Sequence, residues 1–210
     1  ERMAILMAAA NLTSRAVHLL FLYRWNLTQE EERAWVEALS LASDRDAGPN
    51  SLLIEANKFR DAHGFLTALK KNKRLNHLSL QWIGMGDECV EVLRDFTSLT
   101  TLHLNLTTLR LHRGVMIYSE EFVAKLADLH PSHSPLAASL HRLHIHSSCI
   151  NWRRSTGFLQ HWPQLQELSL PNGMHYLDLV DFLKHLAPQR KRRRQLAAPL
   201  HLLLNYTAFD

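Results

Sequence analysis

Cysteine is scarce in this chain. The 210 residues hold only Cys89 and Cys149, too few for the dense disulfide framework of a small secreted domain, and both read as small buried thiols in a reducing environment. No apolar run reaches the roughly 18 residues that a membrane-spanning helix needs. The stretch Met3–Leu12 lacks the preceding basic region of a signal peptide, and the chain opens on Glu1 rather than Met, as an internal piece of a longer protein would. Catalytic signatures are missing too: G-x-S-x-G, the P-loop, H-E-x-x-H and C-x-x-C do not occur. The acidic groups Glu30–Glu32 and Glu120–Glu121 fall at expected helix beginnings, where the helix dipole accounts for them. With no nucleophile, base and orienting group to assemble, the expectation is a protein that is not an enzyme and has no cofactor and no small-molecule substrate.

What is present is leucine in a fixed grammar, within a composition that is 46% hydrophobic and large enough to bury a continuous core. The pattern L-x-x-L-x-L occurs at Leu75/Leu78/Leu80, at Leu99/Leu102/Leu104 and at Leu165/Leu168/Leu170, and looser copies centre on Leu20, Leu52, Leu143 and Leu202. The central leucine recurs after 32, 26, 24, 41, 25 and 34 residues. Repeats of about 20–29 residues are usual, so three intervals fit and three carry insertions. Between the motifs lie short helical patterns. Thr28 and Glu31 make a capping box for a helix over 29–42, with Trp35, Val36, Leu39 and Leu41 as its apolar face. Further helices are expected over 87–96 with Val90 and Leu93 inward, after Ser119 with Phe122, Val123, Leu126 and Leu129, over 156–161 before Pro163, and over 176–186 on the stripe Leu179, Val180, Leu183, Leu186. A second unit carries Phe65, Leu66 and Leu69, and residues 130–135 read as loop.

The segment Ile83-Gly-Met-Gly-Asp-Glu-Cys-Val-Glu-Val-Leu-Arg94, following Leu75–Gln81, resembles the ribonuclease-inhibitor-like subclass of leucine-rich repeats, in degenerate form. The N/C slot of the consensus holds asparagine only at Asn57, so the asparagine ladder is mostly absent. The resemblance implies an α/β solenoid, a horseshoe with a parallel strand ladder on its concave face and helices on its convex face, of about seven repeats. Residues 1–16 then form an N-terminal helix, a cap or the end of a preceding repeat. Residues 17–210 form the solenoid, with insertions at about 110–138 and 188–198. A plain α/β domain with parallel strands and crossover helices is the competing reading; repeated grammar argues against it.

Strand side chains alternate, so if the motif leucines enter the core, the residues between them face a partner. That set includes Phe21, Tyr23, His77, Gln81, His103, Asn105, Arg142, His144 and His146, a mixed polar and aromatic surface suited to protein or peptide. His103, His144 and His146 are close enough on neighbouring strands to converge on zinc. No cysteine or carboxylate accompanies them in the sequence reading, so ordinary surface histidines and no metal are expected. Two basic stretches, Lys70/Lys71/Lys73/Arg74 and Arg190/Lys191/Arg192/Arg193/Arg194, occupy equivalent connections and should share one rim; with a net charge of +4 and a pI near 9.3 they suit an acidic or RNA partner. Four N-x-S/T sequons start at Asn11, Asn26, Asn105 and Asn205.

Three functional expectations follow, in order. The first is a non-catalytic scaffold for protein-protein interaction, a subunit of a larger intracellular assembly in an unspecified compartment, working through the inner strands and the long connection 110–138. The second is an RNA-associated component of a ribonucleoprotein such as an organellar ribosome, contacting RNA through the basic rim. The third, set lower because secretion fits the cysteine usage poorly, is a glycosylated receptor ectodomain fragment.

Overall fold

Short segments in which leucine alternates with polar residues can bury only one face and must pair side by side. In the computed structural model, which describes residues 19–23, 28–44, 48–55, 61–81, 85–106, 120–146, 156–170, 180–181, 183–184 and 200–204, seven such strands form. They are β1 Leu19–Tyr23, β2 Ser51–Glu55, β3 His77–Gln81, β4 Thr101–Asn105, β5 Arg142–His146, β6 Glu167–Leu170 and β7 His201–Leu204. Every pairing is parallel, and the order across the sheet is the order along the chain. The register never slips: Leu20, Leu52, Leu78, Leu102, Leu143, Leu168 and Leu202 make one row across all seven strands. A second row, Leu22, Ile54, Leu80, Leu104 and Ile145, runs beside it.

Helices lie between the strands. Helix α1, Gln29–Asp44, begins with the expected capping box: Glu31 N donates to Thr28 Oγ1 at 3.3 Å, while Thr28 N donates to Glu31 Oε2 at 2.8 Å. Its buried face is Trp35, Ala38 and Leu39 with Val36 at the edge, whereas Leu41 is 44% exposed. That corrects the expected stripe. At 100° per residue Leu41 stands about 240° around the helix from Trp35, on the solvent side. Helix α2, Ala62–Lys70, is capped by Asp61, whose carboxylate accepts from Gly64 N at 2.7 Å. Asp61 N in turn donates to Oε1 of the buried Glu32 at 2.9 Å, which ties the first turn of α1 to the start of α2.

Helix α3, Glu88–Arg94, buries Cys89, Val90, Val92 and Leu93. Burial pushes the Cys89 thiol up to about 11, and so keeps it protonated. Helix α4, Glu120–Ala127, is followed by α5, Pro135–Ser139, and α6, Gly157–His161. Residues 180, 181, 183 and 184 are also helical, with Leu183 42% exposed rather than inward.

The strand leucines and the helix apolar faces form one cluster, from Trp35 through Phe65, Phe96 and Phe122 to Phe158 and Trp162. The last two meet edge to face with ring centroids 5.3 Å apart. A Cβ on Gly157 would lie 2.5 Å from the carbonyl oxygen of Ala127, so glycine is what lets α6 close against the end of α4.

One expectation about the long connection changes. Residues 130–135 are not simply loop: Ser134 Oγ accepts from Ala137 N at 3.2 Å and Pro135 opens α5 at the position where its missing N–H does no harm. The 110–138 insertion, expected to contact a partner, also contributes to the core through its described part, along the apolar face expected for its helix. Phe122, Val123, Leu126, Ala127, Leu136 and Ala137 are all buried in the common cluster.

Between units runs a second periodicity, made of backbone. The carbonyl oxygen of Asn50 accepts from both Asn76 N and His77 N at 2.9 and 3.2 Å, and that of Asn76 accepts from Thr100 N and Thr101 N at 2.9 Å each. Thr100 O does the same for His141 N and Arg142 N, and His141 O for Gln166 N and Glu167 N. The residue before one strand thus receives the entry of the next. Serine hydroxyls repeat a parallel tie: Ser98 Oγ donates to Leu75 O at 2.8 Å, and Ser139 Oγ to Leu99 O at 3.0 Å.

Candidate functional site

The positions between the core leucines lie on the other face of the sheet. In β4 the alternation is complete, with Leu102 and Leu104 buried and Thr101, His103 and Asn105 half-buried. The same holds in β5, where Leu143 and Ile145 are buried, Arg142 is exposed, and His144 and His146 are half-buried.

Register sorts this face into three rows. The first is His77, Thr101, Arg142, Glu167 and His201; the second Ser79, His103, His144, Ser169 and Leu203; the third Gln81, Asn105 and His146. Phe21 and Tyr23 extend the second and third rows through β1, and their side chains, like that of Gln81, lie outside the described residues.

The centre of the face is a set of imidazoles. The rings of His103 and His144 sit 5.5 Å apart, inclined by 51°. His144 Nε2 lies 3.0 Å from Glu167 Oε1, and the other oxygen of that carboxylate is 3.8 Å from Arg142 Nε. His103, Asn105, His144, Ile145, His146 and Ser169 line an open cleft of about 260 Å3. Ser79, in the same row as His103, is 1% exposed, and its hydroxyl makes no hydrogen bond among the described residues. Short side chains between larger neighbours lose their exposure, which is why this nominally outward position is covered.

Burial, followed by the positive charge that His144, His146 and His77 would carry, holds His103 down at about 4. Burial, then His144 and Arg142, also lowers His77. Both rings are neutral at pH 7 and offer one donor and one acceptor nitrogen each.

A stability consequence follows with a definite sign. The unfolded chain takes a proton at this position below the ordinary imidazole value of about 6.5, whereas the folded chain takes it only near 4. Stability from a neutral His103 is therefore full above pH 6.5 and drains away as pH falls from there toward 4. His103→Asn, which keeps a polar group without a titrating one, should lose about 1–2 kcal/mol less than the parent between pH 7.5 and 4.5, after discounting for the ring's partial exposure. Urea unfolding at the two pH values measures it; equal losses would show that the ring titrates normally.

The sequence puts His103, His144 and His146 on one face with Glu167 on the same face of the next strand, and the structure adds the contact that brings its carboxylate to His144. Glu167 reaches diagonally from the first row to the second. The signal was available in the strand alternation of β5 and β6, although side-chain reach was not. Even so, among the described residues no group of three or more histidine, cysteine or carboxylate side chains is placed to hold a metal ion.

The first basic stretch lies at the surface, with Lys71 and Lys73 exposed and Lys70 and Arg74 half-buried, and three of its four side chains engage neighbouring residues. Lys70 Nζ pairs with Asp95 Oδ2 at 3.0 Å and holds that carboxyl below its usual range. Lys71 Nζ donates to Ser40 Oγ at 3.0 Å, and Arg74 Nε to Asn50 Oδ1 at 3.2 Å. Lys73 alone of the four is exposed without a partner among the described residues. The second stretch, Arg190, Lys191, Arg192, Arg193 and Arg194, lies outside the described residues, so the rim expected to join it to the first is not placed.

Two features escaped the sequence reading. Asn72 is buried, donating from Nδ2 to Pro49 O at 2.8 Å and accepting at Oδ1 from Arg74 N at 3.0 Å. A second imidazole group forms away from the sheet, with His130 and His161 5.4 Å apart and His133 6.3 Å from His130. No local pattern joins these three; the fold does.

No protein-family model matches the chain, and no curated protein matches it either. Among the described residues no helix is long and apolar enough to cross a membrane.

Proposed function

We propose that the chain is a leucine-rich-repeat solenoid acting as a non-catalytic scaffold, a subunit that holds another protein against the outward rows of β3–β6. Support for the solenoid comes from strand order. Doubly wound α/β sheets reorder their strands around a switch point, whereas stacked repeats add each strand beside its predecessor, as β1 to β7 do here. The recurring carbonyl that receives the next strand's entry supports the same reading, since each unit repeats one connection.

The observation that carries the function is the composition of the outward rows around the cleft: half-buried imidazoles, an amide and one carboxylate, with the buried hydroxyl of Ser169 and the exposed guanidinium of Arg142 close by. This offers directional hydrogen bonds to a polypeptide without the sustained positive field that a phosphate backbone needs. A triple variant, His103→Ala with Asn105→Ala and His144→Ala, tests it by quantitative affinity purification from a native extract, with and without nuclease. Proteins retained by the parent after nuclease treatment should fall at least severalfold on the variant while its unfolding midpoint stays within the native range. Undiminished retention would sink the reading.

The RNA-associated reading rests on Lys73 and on the run Arg190, Lys191, Arg192, Arg193 and Arg194. It is favoured instead if nuclease abolishes retention and neutralising those five residues flattens the salt dependence of what remains. A glycosylated ectodomain is the weakest of the three, because Asn105 lies inside β4 and lines the cleft, where a glycan would fill the space offered to a partner.

A further inference from the structure

The cleft on β4–β6 carries a charge imbalance that something outside the chain can offset. Around His103 stand His77 from β3 and His144 and His146 from β5, and Glu167 from β6, next to His144, also reaches toward Arg142. Five groups that are cationic or can become so thus share this face of β3–β6 with one acid, the only carboxylate among the described side chains there. That acid is already shared, 3.0 Å from His144 Nε2 and 3.8 Å from Arg142 Nε. Arg142 is exposed, with its guanidinium largely open to solvent beside the cleft.

We propose that this cleft receives the ionised side chain of an aspartate or glutamate from an acidic partner segment, held between Arg142 and the imidazoles of His103, His144 and His146. The inference rests on the reading of this face as protein-binding and names the chemistry of what binds there. Size agrees: about 260 Å3 lies just below the roughly 300–1,000 Å3 of small-molecule sites and suits a side chain with its water. Charge agrees as well. An acid placed here adds to the cleft the counter-charge that Glu167 alone does not supply, and stabilises the protonated form of the ring next to it. His103 is held near 4 when the cleft contains only its own groups; a bound carboxylate raises it, so the complex carries a proton that the free chain lacks. Binding therefore tightens as pH falls, for as long as the partner's acid stays ionised, above about pH 4.5. A nucleic acid is disfavoured here, because its regularly spaced phosphates need a sustained row of permanent cations, and Arg142 is the one such group among the described side chains on this face of β3–β6.

The test uses the full 210-residue chain and a fluorescein-labelled peptide of alternating glutamate and serine, with a glutamine-for-glutamate peptide as control, by anisotropy at about pH 7.5 and about 5.5 in roughly 0.15 M salt. The glutamate peptide should bind roughly fivefold or more tightly at the lower pH, within the tenfold per unit that one coupled proton permits. The glutamine peptide should not bind. His103→Asn should lower the ratio between the two pH values, His103→Asn combined with His144→Asn and His146→Asn should bring it to about one, and Glu167→Gln should strengthen binding at the higher pH by removing the competing acid.

Equal binding of both peptides would overturn the proposal. So would a pH ratio untouched by His103→Asn, or loss of binding on Lys73→Gln, which would mark general attraction to a basic surface. If the peptide fails while the triple variant still loses its captured proteins, the acidic-segment proposal falls and the protein-binding face stands. If capture is unaffected by the triple variant, the face itself is wrong.

Discussion

Phe122→Ala should lower the unfolding free energy by about 3–5 kcal/mol, the range for emptying a buried aromatic site. Phe122 is fully buried in α4, inside the connection whose excess length over its neighbours makes it read as an insertion. Were residues 120–138 an appendage for partners, truncating one of their side chains would change stability by no more than about 0.5 kcal/mol, as at ordinary surface sites. Here the loss comprises the transfer of the ring and the hole it leaves, between α4 and its packing partners α3 and α6. Leu126→Ala, on the same helix and equally buried, should cost about 2–5 kcal/mol. Chemical denaturation read by both tryptophan fluorescence and far-ultraviolet circular dichroism is the measurement. A loss below about 1 kcal/mol for both variants would return the connection to the surface.

Asn72→Ala should be nearly as damaging, at about 2–4 kcal/mol, because each unsatisfied buried group costs roughly 1–3 kcal/mol and truncation leaves two of them. The Asn72 amide reaches Pro49 O from Nδ2 and takes Arg74 N at Oδ1, so one buried side chain satisfies a carbonyl and an N–H on two segments far apart in the chain. Asn72→Asp separates the two bonds. It keeps the acceptor for Arg74 N, loses the donor to Pro49 O and buries a charge beside that carbonyl. An aspartate in that place would have its pKa raised, so its contribution is present at low pH and lost as pH rises through the folded value; the Asp variant should recover stability on acidification relative to Ala. A pH-independent difference between the two variants would mean that water reaches the site.

The strands were legible because their signal is redundant. Each L-x-L fixes a face by alternation, and the repeated grammar fixes the register, so the leucine rows of all seven strands follow from spacing alone. The α1 cap was legible for a similar reason: Thr28 and Glu31 carry their own geometry. Helix α5 was not. Pro-Leu-Ala-Ala-Ser is one turn and a half, with too few positions for a period to register, and the polar run His130–Pro135 masks its start. Leu41 falls on the wrong side whenever hydrophobicity is counted without its angle around the helix.

At the site, sequence supplied the row that joins His103 to His144, since backbone register carries it. It did not supply Glu167 beside His144, because that contact runs diagonally through the length of a side chain. Nor did it supply Asn72, whose partners Pro49 and Arg74 belong to the turns rather than to the repeated slots. Charge content also does not say whether a lysine stands free in solvent or, like Lys70, meets a neighbouring unit's carboxylate. Ser98-Leu99 and Ser139-Leu140 were the overlooked signal: the same dipeptide before two strands, making the same tie to the preceding unit.

His103 and His144 face one another across the longest interval in the chain, 41 residues between Leu102 and Leu143, yet they pair in the same register as strands 24 residues apart. The ladder therefore insulates the geometry of the cleft from the length of the segment that joins its two sides. Such an arrangement lets the chain gain or lose sequence at exposed positions of that segment, such as His130, Ser132 and His133, over evolutionary time while the imidazoles keep their spacing, so a new contact can be tried there without surrendering the old one.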